Sequence, residues 1–314
     1  MTNMEQGSYD FENKNAFVTG ASKGLGEQIA LRLLQKGVHV IGTSRSDPPE
    51  SMATYLDEGK ASYELGDLAR EGDQVLDTIH EKHQGYEIFV NNAGAFSPDY
   101  FTQLDSAKIT GDIELDLTVP LLLHHRWFEL YNQLHTQARA PELSINICSI
   151  SSFYAWPGGT AYQAAKTGLG AAIYGLRAMQ QNLRNNASEE VKQQVGPSAN
   201  LDTRIVAIYP DNIATGLISN AQKDSLYQVG GDALPTEVVV DTVMRAIEGQ
   251  GNYGKYDDIA ILVNPREPGS GKELKGMYAA FIPIDDETHR PNFSARILEK
   301  IGDEDALIKR DPSQ

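Results

Sequence analysis

The chain has 314 residues, 22% of them charged and 40% apolar, with a formal net charge of −16. That length buries a sizeable core, and the balance is ordinary for a globular protein. So acidic a surface repels nucleic-acid phosphates and anionic lipid, which argues against both as general partners.

One cysteine, Cys148, permits no intramolecular disulfide and fits a reducing, cytoplasmic setting. Residues 1–10 are polar and acidic, without the apolar run of a secretory leader. No apolar stretch reaches the length a bilayer demands, so no membrane partner is expected.

Strands and helices alternate along the chain. Lys14 to Thr19 reads as a short buried strand. It leads through Gly20, Ser22, Lys23, Gly24, Leu25 and Gly26 into an apolar-periodic helix that ends near Gly37. Glycines let the backbone approach a pyrophosphate, and a helix N-terminus offers free N–H groups to an anion. The spacing differs from the commoner G-x-G-x-x-G, and a plain strand–helix turn is the competing reading. Val38 to Ser44 is the second strand, with Arg45 just beyond it. In a doubly wound fold this position faces the adenosine ribose, where Arg suits a 2′-phosphate and Asp or Glu a 2′-hydroxyl. Arg45 and Lys23 together point to NADP rather than NAD; two solvated surface cations are the alternative.

Ala61 to Leu65 is the third strand, followed by Asp67 and Leu68 and a polar helix to Gln84. His80 and His83 lack a third ligand, so a solvated helix face is expected there and no metal. Glu87 to Val90 is the fourth strand, ending in Asn91-Asn92-Ala93-Gly94. A long helix is expected from Ile113 toward Ala138. It is too apolar for one buried stripe, so it lies deep in the core or meets another subunit. Leu143 to Ile150 is the fifth strand. Phe96, Tyr100, Phe153, Tyr154, Trp156 and Leu217 are candidates for an apolar pocket.

The next helix carries Tyr162 and Lys166, four residues apart and so on one face. An ammonium beside a phenol favours the phenolate and suits the tyrosine to acid/base work. Arg184 to Asp202 reads as a surface insertion. Arg204 to Tyr209 is the sixth strand, ending in Pro210, Asp211, Ile213 and Thr215. Residues 216–235 read as a loop that includes a lid. A helix over Glu237–Glu248 and a seventh strand over Asp258–Val263 follow, then an irregular tail with a short amphipathic helix at 293–301. The pattern predicts an α/β class: a doubly wound, Rossmann-like parallel sheet of about seven strands with helices on both faces. It forms a single domain over residues 1–265. Residues 266–314 form an extension that packs on it or is partly disordered.

Assembled in this order, the motifs resemble the short-chain dehydrogenase/reductase family in its smaller, single-domain members. The matching features are Thr19-Gly20-x-x-x-Gly24-x-Gly26, Asp67, Asn91 to Gly94, Ser149, and Tyr162-x-x-x-Lys166. They span residues 19–215. The resemblance implies an NADP-dependent oxidoreductase that interconverts a carbonyl and an alcohol. Gly20, Ser22, Gly24, Leu25 and Gly26 would line the pyrophosphate, with Lys23, Ser44 and Arg45 around the 2′-phosphate. Asp67 and Leu68 would meet the adenine. Asn91, grouped with the cofactor positions, would stabilise the central strand, and Ala93 and Gly94 would let the cofactor pass. Pro210, Ile213 and Thr215 would lie at the nicotinamide. Tyr162 would be the general acid or base, Lys166 would bind the ribose and lower the Tyr162 pKa, and Ser149 would hold the substrate oxygen, with Ser151 and Ser152 as possible substitutes.

Two positions depart from the family pattern. Asp116 stands where the family has an Asn that anchors a proton-relaying water, and it could instead pair with Lys166. Asp211 stands where a Gly is usual. A catalytically silent NADP-binding protein of the same fold is therefore the alternative function. The apolar helix from Ile113 and the helix after Tyr162 resemble the pair that joins subunits in family dimers and tetramers, which implies a homodimer or homotetramer.

Overall fold

The computed structural model describes residues 9–134, 138–154, 156–215, 217, 231–266, 268–284, 292, 295–301 and 308–310. Its central strand β1 (Asn15–Thr19) is buried along its whole length, as a strand covered on both faces must be. Ala16 and Val18 face one apolar core, while Phe17 faces another. The pleat alone produces this division, because successive side chains point to opposite faces.

Around β1 lie β2 (His39–Ser44), β3 (Ala61–Leu65), β4 (Ile88–Asn91), β5 (Leu143–Ile147), β6 (Arg204–Pro210) and, after a short β7 (Gly231–Ala233), β8 (Asp258–Val263). The order β3-β2-β1-β4-β5-β6-β8 is parallel throughout, which accounts for the seven strands expected. The chain reverses its direction of growth between β1 and β4. A crevice opens at the carboxyl ends of strands at such a switch point.

The sheet does not stop at β8. Strands β9 (Met277–Phe281) and β10 (Ile297–Ile301) add to its edge in antiparallel pairing, giving nine strands among the described residues. The helix expected at 293–301 is therefore corrected for its described part to a strand, in register from Ile297↔Phe281 to Ile301↔Met277. Pairing with the buried β9 satisfies backbone groups on that edge, and this outweighs the local helical period. A last strand, β11 (Ile308–Arg310), pairs antiparallel with β7.

Helices α1 (Gly24–Gln35) and α8 (Thr236–Glu248) cover one face. On the other lie α3 (Leu68–His83), α5 (Val119–Leu134) and α6 (Thr160–Asn185). Short helices α2 (Ala53–Asp57), α4 (Ser106–Ile113), α7 (Glu189–Val195) and α9 (Gly251–Lys255) fill the connections. The stretch read as a surface insertion thus carries a helix, α7.

The helix expected from Ile113 begins earlier, at Ser106, where the Asp105 side chain caps it by accepting from the Lys108 amide at 2.8 Å. It then widens into one π turn, Glu114–Thr118, before continuing as α5. His80 is not on a solvated face. It is buried, its Nδ1 lies 3.0 Å from the Leu76 carbonyl oxygen, and its ring meets Tyr86. The expected lid lies largely outside the described residues, at 216 and 218–230. Among the described residues, no helix is long and apolar enough to cross a membrane.

Candidate active site

A cavity of about 1030 Å³ opens at the switch point. The loop from Gly20 to Gly26 forms one wall. Gly20 has φ +69°, a backbone that L side chains rarely adopt. A Cβ on Gly26 would stand 2.3 Å from the Gly20 carbonyl oxygen and 2.4 Å from Asn92 Nδ2, so only hydrogen fits. Asn92 ties this loop to the end of β4: its Nδ2 donates to the Thr19 carbonyl at 2.9 Å. The Thr19 hydroxyl accepts from the Asn92 and Ala93 amides at 3.0 and 2.9 Å. Helix α1 begins at Gly24 with no side-chain cap from Lys23, leaving its first N–H groups free for an anion. Ser22, Lys23, Leu25, Ser44 and Arg45 line this end too, and Lys23 and Arg45 are exposed there. These features fit a pyrophosphate with a further anionic group beside it.

Asp67 and Leu68 lie along the same wall. The Asp67 carboxylate caps α3 by accepting from the Ala69 amide at 3.2 Å. Asn91 is placed differently from the rest. It is buried beneath the cavity and does not line it, and its Nδ2 donates to Asn146 Oδ1 at 3.2 Å. From there a buried polar chain runs on: Asn146 Nδ2 donates to Ser144 Oγ at 3.0 Å, and Ser144 Oγ lies 2.8 Å from His124 Nε2. His124 Nδ1 is 2.7 Å from the Pro120 carbonyl oxygen, which assigns the proton to Nδ1. His124 is thus a packed, bonded core residue, and burial pulls its pKa down to about 4.

The other end of the cavity brings together Ser149, Tyr162, Lys166 and Asp116. Ser149 follows β5, and its Oγ accepts from the Ser151 amide at 3.1 Å. Of its possible substitutes, Ser151 lines the cavity and Ser152 does not. Tyr162 and Lys166 sit one turn apart on α6, with Lys166 Nζ 5.8 Å from the Tyr162 ring centroid. Lys166 Nζ donates to the Ile147 carbonyl at 2.9 Å and forms an ion pair with Asp116 Oδ1, also at 2.9 Å. The Asp116 side chain is fully buried, held within the π turn, and its Oδ2 accepts from the Ala95 amide at 3.2 Å. A Cβ on Gly94 would stand 2.6 Å from Asp116 Oδ1, so a glycine is needed there to seat the carboxylate. π turns recur at functional sites.

This electrostatic setting differs from the simple phenol–ammonium pair. Burial pushes the Asp116 carboxyl up to about 6 even with the Lys166 ammonium beside it. Burial also pulls Lys166 down, but the Asp116 and Tyr162 oxygens outweigh it and hold the ammonium above its ordinary range. Tyr162 is half-buried on the cavity wall, and desolvation there raises the phenol most. Lys166 and Ser149 work against it, and Asp116 works with it. Lys166 acts in the expected direction, but burial outweighs it, and the net direction is up.

Asp211 lines the cavity, but its carboxylate turns to the backbone, accepting from the Asn212 and Val263 amides at 2.8 and 3.4 Å. Pro210, Ile213 and Thr215 are beside it. Of the apolar candidates, Phe96, Tyr154, Trp156 and Leu217 line the cavity, whereas Tyr100 and Phe153 do not. Phe96 stacks on Trp156 at 5.2 Å and meets Tyr162 edge-on at 5.0 Å. Two polar groups were given no role from the sequence, Asn92 and the buried Asp112, which accepts from the Ser97 hydroxyl at 2.9 Å. The signals were available: Asn92 adjoins Asn91, and Asp112 is one turn before Asp116.

The chain belongs to the short-chain dehydrogenase family: the family model described as short chain dehydrogenase matches residues 14–224. Among curated proteins it is similar to the 3-oxoacyl-[acyl-carrier-protein] reductase FabG of Buchnera aphidicola, 36% identical over 111 residues. That match covers 34% of this chain and 45% of the relative. The chain spans about half the length of the curated relatives it matches first. Among solved structures it is similar to a 3-oxoacyl-[acyl-carrier protein] reductase from Brucella melitensis in complex with NAD. The TM-score is 0.61 at 18% identity, over 80% of this chain and 95% of that one. It is also similar to an alcohol dehydrogenase from Thermococcus sibiricus complexed with 5-hydroxy-NADP. There the TM-score is 0.57 at 20% identity, over 74% and 89%. At these identities the structural likeness carries the fold alone.

Proposed function

We propose that the chain is an NADP-dependent oxidoreductase that interconverts a carbonyl and an alcohol on a small molecule. One observation carries this reading. Ser149, Tyr162 and Lys166 converge on one end of a cavity whose other end holds the glycine loop, Lys23 and Arg45. The named activities of the relatives, reductases and dehydrogenases, are consistent with it. The related structures carry NAD in one case and a 5-hydroxy-NADP in the other. The choice of NADP here rests on Lys23 and Arg45, which make no ion pair among the described residues.

Gly20 to Gly26 and the start of α1 would hold the pyrophosphate, Lys23 and Arg45 the 2′-phosphate, and Ile213 and Thr215 the nicotinamide end. The reduced nicotinamide supplies the hydride. The chain's own work is at the substrate oxygen. Ser149 and Tyr162 donate hydrogen bonds to it as charge develops, and Tyr162 gives up its phenolic proton. Lys166 has three N–H donors, two of them turned to Ile147 and Asp116, which leaves one for the cavity.

The test is NADPH oxidation over a panel of ketones, aldehydes and diketones, with Tyr162→Phe as the blank. Turnover by the natural chain alone is the expected result. The Asp116–Lys166 pair favours a second reading, a silent NADP-binding protein. Tight NADPH binding without turnover on the whole panel would favour that one.

We also propose a homodimer or homotetramer. Leu122 and Leu134 of α5 and Met179 of α6 are exposed, and the two helices touch. Light scattering at micromolar concentration should return a multiple of the chain mass; a monomer would refute the assembly.

A further inference from the structure

We propose that Asp116 is a positioning residue that, by pairing with Lys166, keeps the proton on Tyr162. The resting site is then a proton donor to a carbonyl oxygen, and its basic form is reached only at alkaline pH. The inference rests on the reading of Tyr162 as the proton donor.

The argument begins with the charges around the phenol. Lys166, on the same helix, is the cation that acts on it most among the described residues. Asp116, from the π turn, is an anion that also acts on the phenol, and it pairs with the ammonium at 2.9 Å. That pairing offsets part of the field the ammonium exerts on the phenol. The remaining neighbours do not restore a positive field. Cys148, after β5, is a buried thiol pushed up to about 12, and it stays neutral. Ser149 is a neutral hydroxyl. Asp112, one turn before Asp116 and bonded to Ser97, acts on Asp116, whose carboxyl it raises. An unpaired buried ammonium would draw the phenol toward phenolate. Burial favours the neutral phenol, and a paired ammonium opposes it less.

The carboxylate cannot easily leave this position. Its side chain is inaccessible, its Oδ2 is bonded to the Ala95 amide, and the Gly94 backbone closes over Oδ1. Removing only the charge, by Asp116→Asn, keeps the shape. In carbonyl reduction the Tyr162 O–H bond breaks and its proton goes to the carbonyl oxygen. A bound reduced nicotinamide would supply hydride to the carbonyl carbon, so that the carbonyl is reduced and the nicotinamide oxidised. The reverse reaction needs the phenolate first. Asp116 therefore sets the pH at which the site changes from acid to base.

The decisive measurement does not depend on turnover. Tyrosines labelled with 13C at Cζ are titrated by NMR in the natural chain and in Asp116→Asn, with Tyr162→Phe to assign the signal. The Tyr162 midpoint should fall by about one unit or more in Asp116→Asn, a tenfold gain in phenolate at a given pH. An unchanged or higher midpoint overturns the proposal. If Asp116→Asn fails to fold, Asp116→Ser replaces it. If neither folds, the natural chain decides: a Tyr162 midpoint above that of free tyrosine supports the proposal, and one below it overturns it. Where the enzyme turns over, the alkaline fall of kcat/KM for reduction should move down with the NMR midpoint. A merely structural role would lower the rate and leave that limb in place. No turnover in the natural chain would refute the oxidoreductase reading, while the NMR shift would still decide the role of Asp116.

Discussion

The two ends of the cavity are built on opposite electrostatic principles. At the glycine-loop end the charges are exposed: Lys23 and Arg45 stand in solvent, and the fixed parts are backbone. At the Tyr162 end the charges are buried and paired, with Asp116 and Lys166 all but inaccessible. The chain from His124 through Ser144 and Asn146 to Asn91 is buried as well. Solvated charges attract an anion with little desolvation cost, but salt weakens them. Buried charges are fixed in place, respond to pH, and are costly when one partner is lost. One end is therefore suited to recognition and the other to chemistry.

The largest expected effect tests that division directly. Tyr162→Phe should reduce turnover by about 10²–10⁴-fold, the range for loss of a general acid. NADPH affinity, read by fluorescence titration, should stay nearly unchanged. If binding and turnover fell together, the ends would not be separable in this way.

The next effect concerns the buried polar chain. His124 is neutral in the fold, its pKa pulled down from 6.5 to about 4 by burial. The unfolded chain takes up a proton below 6.5 that the folded chain refuses. This contribution to stability is thus complete above about 6.5, falls as the pH drops toward 4, and is lost below that. Its size is about 3 kcal/mol. Burial lowers His80, His39 and His83 as well, and they add to the same slope. Urea unfolding between pH 7 and pH 4, comparing the natural chain with His124→Gln, should show a shallower acid slope in the variant. Equal slopes would mean that the buried histidine is not the acid-sensitive element.

How much of this could be read from the sequence varied with the kind of interaction. The parallel strands were legible because a strand buried on both faces is a short apolar run, and β6 and β8 carry such runs. The glycine loop was legible because Gly26 tolerates no Cβ beside the Gly20 carbonyl. That Ser149, Tyr162 and Lys166 would meet could be anticipated from their order and spacing. The π turn could not, because it changes backbone hydrogen bonds without changing the apolar period. That turn seats Asp116, so the ion pair entered the reading only as one option. Strand β10 was misread because Ile297, Leu298 and Ile301 also fit a helix face, and only pairing with β9 decides between the two. Asn91 was grouped with the cofactor positions although it lies under the cavity, because neighbours in a strand alternate in direction.

The smallest effect belongs to the exposed end, and it tests the choice of cofactor. Lys23 and Arg45 act from solvent, so each should contribute modestly. Lys23→Ala or Arg45→Ala should weaken NADPH binding by about tenfold, toward the low end for a charge-assisted hydrogen bond. NADH has no 2′-phosphate, and its affinity should hardly move. The difference between natural and variant chains should also shrink as salt rises, because these charges are not shielded by protein. At saturating NADPH, kcat should be unchanged, since neither side chain is near Tyr162. Equal losses for NADH and NADPH would move the two cations from the 2′-phosphate to the pyrophosphate or to loop stability. A natural preference for NADH would remove the 2′-phosphate role altogether, while leaving the buried end and its proton chemistry untouched.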